Sequence, residues 1–144
     1  MPNNDTIRIA FIGCGENARG HGRNVSKVEG TEIVALVDPN EAALNTFRRD
    51  VDLEESIPAL RDHAEMLAAV KPNAVVISTP HTLYFQQIMN SLEASCYIHT
   101  EKPMVCTVDH AKQAIKKVEE SGKHLMIGYQ RHLQPSYMYC RNVM

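Results

Sequence analysis

The sequence predicts an α/β fold in which helices cover both faces of a parallel sheet. Short apolar runs of strand length alternate with helix-length stretches, which is the pattern of parallel strands joined by crossover helices. The apolar runs are nearly continuous in Val, Ile, Leu and Ala, as strands buried on both faces require. With 144 residues, 44% of them hydrophobic, the chain has the size of one well-buried domain.

Five segments have the composition of buried strands, and most are followed by a glycine, an acidic residue or a Thr-Pro pair. The middle region, residues 50–70, shows no comparable strand pattern and is interrupted at Pro58. The five predicted strands are Ile7–Ile12, Ile33–Val37, Ala74–Ser78, Cys96–His99 and His124–Ile127.

Helix-length stretches alternate with these strands, and one of them has the clearest boundaries. Thr107 is its predicted N-cap and Gly122 its predicted C-terminal cap. Its predicted apolar stripe consists of Val108, Ala111, Ile115 and Val118. The other predicted helices run from Ala18 or Arg19 to near Gly30, from Pro39 to Arg49, from His63 to Val70, through Leu83, Ile88 and Leu92, and from Pro135 to the end of the chain.

Composition excludes several classes of function. A formal net charge of -2 with mixed charges provides no basic face for a phosphate backbone, so nucleic acid is not an expected partner. No segment approaches the roughly 20 apolar residues that cross a bilayer, so no membrane association is expected. Residues 1–5 lack the basic and apolar regions of a secretory leader, and we expect a soluble, unprocessed protein.

Cysteine and histidine spacing predicts neither a disulfide framework nor a metal site. The four cysteines lie far apart and include no Cys-x-x-Cys pair. The histidines show no His-Glu-x-x-His or comparable ligand spacing. A reducing cytoplasm fits this cysteine usage best. The cysteines are Cys14, Cys96, Cys106 and Cys140.

The turn after the first strand has the pattern Gly-x-Gly-x-x-Ala, a variant of the dinucleotide fingerprint of Rossmann-type folds. Gly13 permits a tight turn, Gly15 lets the backbone approach a pyrophosphate, and Ala18 is small enough for close packing. The alternative is a glycine turn without a ligand. The predicted cofactor-binding residues of this turn are Gly13, Cys14, Gly15, Glu16, Asn17 and Ala18.

Asp38 lies 20 residues beyond Ala18, at the end of the second predicted strand. In this position a carboxylate accepts hydrogen bonds from both hydroxyls of the adenine ribose. The same charge repels a 2′-phosphate, and Pro39 and Asn40 offer no arginine to offset it, so NAD is favoured over NADP. The alternative is that Asp38 caps the helix that follows.

Several motifs together resemble the glucose-fructose oxidoreductase, inositol dehydrogenase and MocA family. They are Ile12–Gly15, Ala18–His21, the Glu-Lys-Pro signature at residues 101–103, Gly128–Arg131 and Pro135. The resemblance spans almost the whole chain, and Glu-Lys-Pro is far more specific than the glycine turn. It implies a Rossmann-type, doubly wound parallel sheet and an NAD(P)-dependent oxidoreductase.

The resemblance also implies roles for residues beyond the turn. It places Lys102 beside the nicotinamide and the reacting hydroxyl, where an ammonium orients the substrate oxygen and stabilises developing alkoxide. The alternative is an exposed lysine in a turn. It implies that Thr79, Pro80 and Glu101 are cofactor neighbours.

Two further positions, Tyr84 and His21, correspond to histidine positions of the family. Tyr84 stands where family members often carry histidine, so no substrate contact is predicted there. His21 matches a family histidine, and its predicted role is packing within a helix.

The resemblance assigns residues 1–128 to an NAD(P)-binding Rossmann domain and residues 129–144 to the start of a connection to a second, C-terminal domain. That second domain, an open mixed sheet, normally supplies an aspartate and a histidine to the proton relay and lies outside this chain. The chain ends inside a predicted helix that bears tyrosines, which suggests a truncated protein.

The implied substrate is a sugar-like or polyol hydroxyl. We expect the chain alone to bind the cofactor well but to catalyse the oxidation of substrate less well. Family members usually associate through the second sheet, so a homo-oligomer is one expectation. The alternatives to a dehydrogenase are a stand-alone NAD(P)-binding regulatory module and a pseudo-enzyme without catalysis.

Overall fold

The computed structural model describes residues 6–144 and shows a parallel sheet of six strands. Hydrogen bonding gives the order β3-β2-β1-β4-β5-β6, and every pairing of neighbouring strands is parallel. The order reverses between β1 and β4, and ligands of open α/β sheets bind outside the carboxyl ends of the strands at such a point. The strands are β1 (Ile7–Ile12), β2 (Thr31–Val37), β3 (Ala59–Leu60), β4 (Ala74–Ile77), β5 (Tyr97–Thr100) and β6 (Leu125–Ile127).

Six α-helices connect or follow the strands, and polar side chains cap three of them. Asn40, Asp62 and Thr107 each accept a hydrogen bond from a backbone N–H in the first turn of the helix that follows. The helices are α1 (Glu16–Val25), α2 (Glu41–Val51), α3 (His63–Val70), α4 (Tyr84–Glu93), α5 (Val108–Ser121) and α6 (Pro135–Val143), with 3₁₀ turns at His81–Leu83 and Gln130–Leu133. Within residues 6–144, no helix combines the length and the apolar character needed to cross a membrane.

Two hydrophobic clusters fix the helices to opposite faces of the sheet. On one face, Phe47 of α2 and Ala18 of α1 pack with Phe11, and all three side chains are fully buried. On the other face, Tyr84 and Ile88 of α4 join the cluster that also contains residues of α3 and α5. The central strands are therefore buried on both faces, which explains why their sequences are continuously apolar.

The five predicted strands are confirmed, with ends that differ by at most two residues from the predictions. The prediction for residues 63–70 is confirmed as α3, and both predicted caps of α5 are confirmed, since Thr107 accepts from the His110 N–H and Gly122 is left-handed. Strand β3 was not predicted, because its two residues carry no periodic signal. The first helix begins at Glu16, earlier than predicted, and ends at Val25.

The predicted apolar stripe of α5 is partly wrong. Val108 is 70% exposed and Ile115 is 51% exposed, whereas Ala114 is fully buried. The helix therefore contacts its neighbours through a face centred on a small residue. The prediction is right at Val118, which packs against the core cluster, and wrong at Val108 and Ile115, because a long helix at the edge of a domain also leaves large apolar side chains in solvent.

Gly22 allows α1 and α2 to approach each other closely. A β-carbon at this position would lie 2.7 Å from Phe47 Cζ and 2.9 Å from Val51 Cγ2, distances that real β-carbons essentially never show. The residue is buried within α1. The spacing of the two helices therefore depends on the absence of a side chain at residue 22.

We predict that Gly22→Ala destabilises the protein by about 1–3 kcal/mol, because a methyl group inserted there must displace Phe47 or Val51. Gly20→Ala is the matched control in the same helix, since a β-carbon at Gly20 meets nothing within 4 Å. That control should be neutral or stabilising by up to ~1 kcal/mol through helix propensity. Urea unfolding of the three proteins measures the difference, and equal effects of the two substitutions would contradict the packing account.

Candidate functional site

The carboxyl ends of the central strands meet along one edge of the sheet. Backbone hydrogen bonds continue past the ends of the strands, from the Gly13 N–H to the Val37 carbonyl at 2.8 Å and from the Ser78 N–H to the Ile12 carbonyl at 2.8 Å. The Glu101 N–H donates to the last residue of β4 at 3.0 Å. The loops after β1, β2, β4 and β5 are thus held side by side, and they carry the predicted site residues.

Gly13 is required where the first loop passes the end of β4. Its φ is +89°, and a β-carbon there would lie 2.6 Å from the Ser78 carbonyl oxygen and 2.9 Å from Thr79 Cγ2. A side chain would therefore be strained in its own backbone and would collide with the neighbouring loop. This contact brings the glycine turn and Thr79 together.

Gly15 is the N-cap residue of α1, and no side chain of the described residues caps this helix. The first N–H groups of a helix have no intrahelical partner, so those of the exposed Glu16 and Asn17 are available to an anion. A β-carbon on Gly15 would meet nothing within 4 Å, which leaves open space beside these groups. Ala18, fully buried, packs the same helix against the sheet.

Asp38 connects the end of β2 to the glycine turn. Its Oδ2 accepts a hydrogen bond from the Cys14 N–H at 2.9 Å, and its Oδ1 accepts one from the Asn40 N–H at 2.8 Å. Asn40, not Asp38, is the N-cap of α2, so helix capping does not explain the carboxylate. Each carboxylate oxygen can accept more than one hydrogen bond, so Asp38 retains acceptor capacity.

Cys14 contributes its backbone, while its side chain belongs to the core. The side chain is fully buried in the cluster beneath α1 and α2. Burial, together with the nearby charge of Asp38, raises the pKa of the Cys14 thiol to about 12. The sulfur stays protonated at neutral pH, so Cys14 is not a nucleophile.

The loop after β4 places Thr79 at the edge and Pro80 in solvent. The Thr79 hydroxyl donates to Oε1 of the buried Gln87 at 2.6 Å. Tyr84, in the next turn, is 1% exposed and packs beside His81 with ring centroids 5.5 Å apart. Tyr84 therefore belongs to the core. Gln87, which accepts the hydrogen bond that fixes the Thr79 side chain, was not among the predicted site residues.

In the Glu-Lys-Pro segment, which follows β5, Glu101 is buried and Lys102 is exposed. Glu101 is 8% exposed, and His21 Nε2 lies 2.8 Å from its Oε1. Lys102 is exposed and borders a cavity of about 480 Å³ formed with the segment after β6, and the Lys102–Pro103 peptide is cis. The other residues that line this cavity are Gly128, Tyr129, Gln130, Arg131, His132 and Tyr137.

The structure therefore brings the predicted residues together in two adjoining groups. The glycine turn lies with Asp38, and Thr79 lies beside that turn, while Glu101 and Lys102 follow the neighbouring strand. Across residues 6–144, no three His, Cys, Asp or Glu side chains are grouped closely enough to hold a metal ion. The site is thus a polar edge with free backbone donors, a carboxylate and an ammonium.

Residues 7–129 match the profile of an oxidoreductase family described as having an NAD-binding Rossmann fold. The chain is 29% identical to scyllo-inositol 2-dehydrogenase (NAD(+)) of Bacillus subtilis (strain 168) over 132 residues, 91% of this chain and 38% of that protein. It is 27% identical to a glycosyl hydrolase family 109 protein of Shewanella pealeana (strain ATCC 700345 / ANG-SQ1) over 134 residues, 88% of this chain and 29% of that protein.

A solved structure has the same fold. Scyllo-inositol dehydrogenase from Lactobacillus casei, with bound cofactor NAD(H) and scyllo-inositol, superposes with a TM-score of 0.86 at 22% identity, over 96% of this chain and 40% of that one. The chain thus spans about two fifths or less of the length of these relatives.

Proposed function

Because the chain belongs to the oxidoreductase family with an NAD-binding Rossmann fold, we propose that it binds NAD(H) as the nucleotide-binding part of a dehydrogenase. The proposed reaction transfers a hydride between a sugar-like or polyol hydroxyl and nicotinamide. One observation carries the proposal: the Cys14 N–H donates to Asp38 Oδ2 at 2.9 Å. This bond joins an uncapped helix N-terminus to the Asp38 carboxylate on one edge of the sheet, and that carboxylate would hold the adenine ribose.

The residues present fit a dinucleotide. The open space at Gly15 lets a pyrophosphate approach the N–H groups of Glu16 and Asn17. Asp38 would hold the adenine ribose. Thr79 and Pro80 lie on the next loop toward Lys102 and would flank the nicotinamide half.

We assign NAD rather than NADP as the cofactor. The Asp38 carboxylate would lie against a 2′-phosphate and repel it. Its neighbours in the chain, Pro39 and Asn40, supply no positive charge to offset this repulsion. The dehydrogenase from Bacillus subtilis, which its name describes as NAD(+)-dependent, supports the same assignment.

Lys102 is the proposed catalytic residue. It borders the cavity of about 480 Å³ and is exposed toward it, so its ammonium can meet a polar substrate there. The ammonium would orient the substrate oxygen and stabilise the negative charge that develops on it. When bound, NAD⁺ supplies the hydride acceptor.

We propose that residues 1–128 form the nucleotide-binding domain and that residues 129–144 begin the connection to a second domain. The family profile ends at residue 129, and the relatives are more than twice as long as this chain. In α6 none of the residues is buried, and Tyr139 is 68% exposed, which suits a helix that packs against a further part of the protein.

The proposed location of the protein is the cytoplasm. Its four cysteines are free thiols, which a reducing compartment maintains.

A stand-alone NAD-binding regulatory module is the alternative function, since nucleotide binding needs none of the cavity beside Lys102. A pseudo-enzyme that has kept the fold but no longer binds the nucleotide is the third candidate function. The three functions differ in two measurable properties: a dehydrogenase binds the nucleotide and catalyses oxidation, a module only binds the nucleotide, and a pseudo-enzyme does neither.

We predict that NADH fluorescence changes on titration with the protein, and that Gly15→Ala weakens NADH binding at least about tenfold, or ~1.4 kcal/mol. A methyl group at Gly15 contacts no protein atom within 4 Å but occupies the space that the pyrophosphate needs. Gly20→Ala, also free of contacts, is the control and should bind normally. No NADH response from the unsubstituted protein would contradict the assigned function.

We also predict that Asp38→Asn narrows the preference for NADH over NADPH by about tenfold, because it removes the charge that repels a 2′-phosphate. The substitution also disturbs the hydrogen bond from the Cys14 N–H or the one from the Asn40 N–H, and this disturbance lowers the affinity for NADH and for NADPH alike. The ratio of the two dissociation constants, measured by the same titration, isolates the effect of charge. An unchanged ratio would show that Asp38 does not lie near the 2′ position of the adenine ribose.

Finally, Lys102→Met should reduce NAD⁺-dependent polyol oxidation by at least about 100-fold while changing NADH affinity less than about threefold. Lys112→Met, at an exposed position of α5, is the matched control and should leave both unchanged. The assay uses inositols as substrates and is made on the 144-residue chain and on any longer protein that the same gene encodes. A large loss of NADH affinity in Lys102→Met would contradict the catalytic role.

A further inference from the structure

One side-chain hydrogen bond links the helix that follows the glycine turn to the loop that carries Lys102. His21 lies in α1, the helix whose N-terminus follows the glycine turn, and Glu101 directly precedes Lys102. Their side chains meet at 2.8 Å although 80 positions separate them in sequence. Strand β4 lies between β1 and β5, so this contact spans the centre of the sheet.

The carboxylate of Glu101 depends on this contact. It is 8% exposed, and within residues 6–144 its side chain makes no other hydrogen bond. A buried carboxylate without a hydrogen-bond donor is costly, so removal of His21 forces Glu101 to move toward solvent or to take up a proton.

The remaining groups near Glu101 do not replace His21. Burial and the neighbouring His21 lower the pKa of His99, against the opposing effect of Glu101, so His99 is neutral. Burial, Glu101 and Cys106 raise the pKa of Tyr84, so its hydroxyl keeps its proton. Neither side chain donates a hydrogen bond to the carboxylate.

The loop that carries Lys102 has few other attachments. The Glu101 N–H donates to Ile77 at 3.0 Å, and the partly buried Val105 packs against the hydrophobic cluster that contains Tyr84. Within residues 6–144, no backbone hydrogen bond involves residues 102–106, and α5 begins only at Val108. On the N-terminal side of Lys102, the backbone N–H and the side chain of Glu101 therefore make the last contacts that hold the chain.

We propose that His21 is a positioning residue that holds Glu101, and through it fixes Lys102 relative to the helix that binds the pyrophosphate. The role of Lys102 rests on the function proposed above, whereas the anchoring of the loop does not. The pair makes the two halves of the site one rigid unit, so that α1 and the Lys102 loop keep their relative position.

Hydrogen exchange in the nucleotide-free protein tests the anchor directly. His21→Leu should raise exchange of the Glu101 N–H, which donates to the Ile77 carbonyl, at least about tenfold, the factor expected for the loss of a hydrogen bond to a buried charge, while α2 and α4 keep their protection. His21→Gln places an amide N–H near the position of Nε2 and should restore exchange to within about threefold. Unchanged exchange in His21→Leu, or no rescue by His21→Gln, would overturn the proposal.

Binding and rate measurements together separate a positioning role from general damage to the fold. His21→Leu should keep its affinities for ADP-ribose and for NADH within about threefold, as predicted for Lys102→Met, and should lose about tenfold in the rate of NAD⁺-dependent polyol oxidation. A loss of about tenfold or more in affinity for both ligands would overturn the positioning role. If the unsubstituted protein bound neither ligand, the proposed function would fail, and hydrogen exchange would still decide whether His21 anchors the loop.

Discussion

The hydrogen bond between the Cys14 N–H and the Asp38 carboxylate is the contact on which the candidate site depends. It holds the turn after β1 against the end of β2, and the φ of +89° at Gly13 lets the chain make that turn beside β4. The available N–H groups of α1 and the free acceptor capacity of Asp38 are therefore fixed at one distance from each other. A ligand with an anion and a vicinal diol separated by that distance meets both without rearrangement of the protein.

Much of the fold could be predicted from the sequence because buried parallel strands have a simple signature. Runs such as residues 33–37 and 74–77 are apolar on both faces, and Gly13 and Gly122 mark turns that need a left-handed backbone. What could not be predicted depended on neighbours distant in sequence. The two residues of β3 are a strand only because they pair with β2, and Ala114 is buried only because of what packs on it.

The same distinction applies to the site. Gly13, Gly15 and Asp38 could be located by spacing, since one local turn and one strand end define them, and the structure brings them together. The contact of His21 with Glu101 could not be foreseen, because it depends on how α1 crosses the sheet. Burial then divides Glu-Lys-Pro into two roles: Glu101 is held within the protein and Lys102 faces outward. Sequence resemblance could name this motif but could not show that division.

The close approach at Gly22 has a consequence for inherited variation in this protein. Gly22 lies one turn beyond Ala18, and its neighbours Phe47 and Val51 belong to α2, outside the glycine turn and the Asp38 loop. A bulkier residue there would push α1 and α2 apart and so change the distance between the N-terminus of α1 and Asp38. Such a variant would be recorded as a cofactor defect, although the altered atom touches no cofactor. Screening for loss of nucleotide affinity would therefore recover helix-packing lesions together with true ligand contacts.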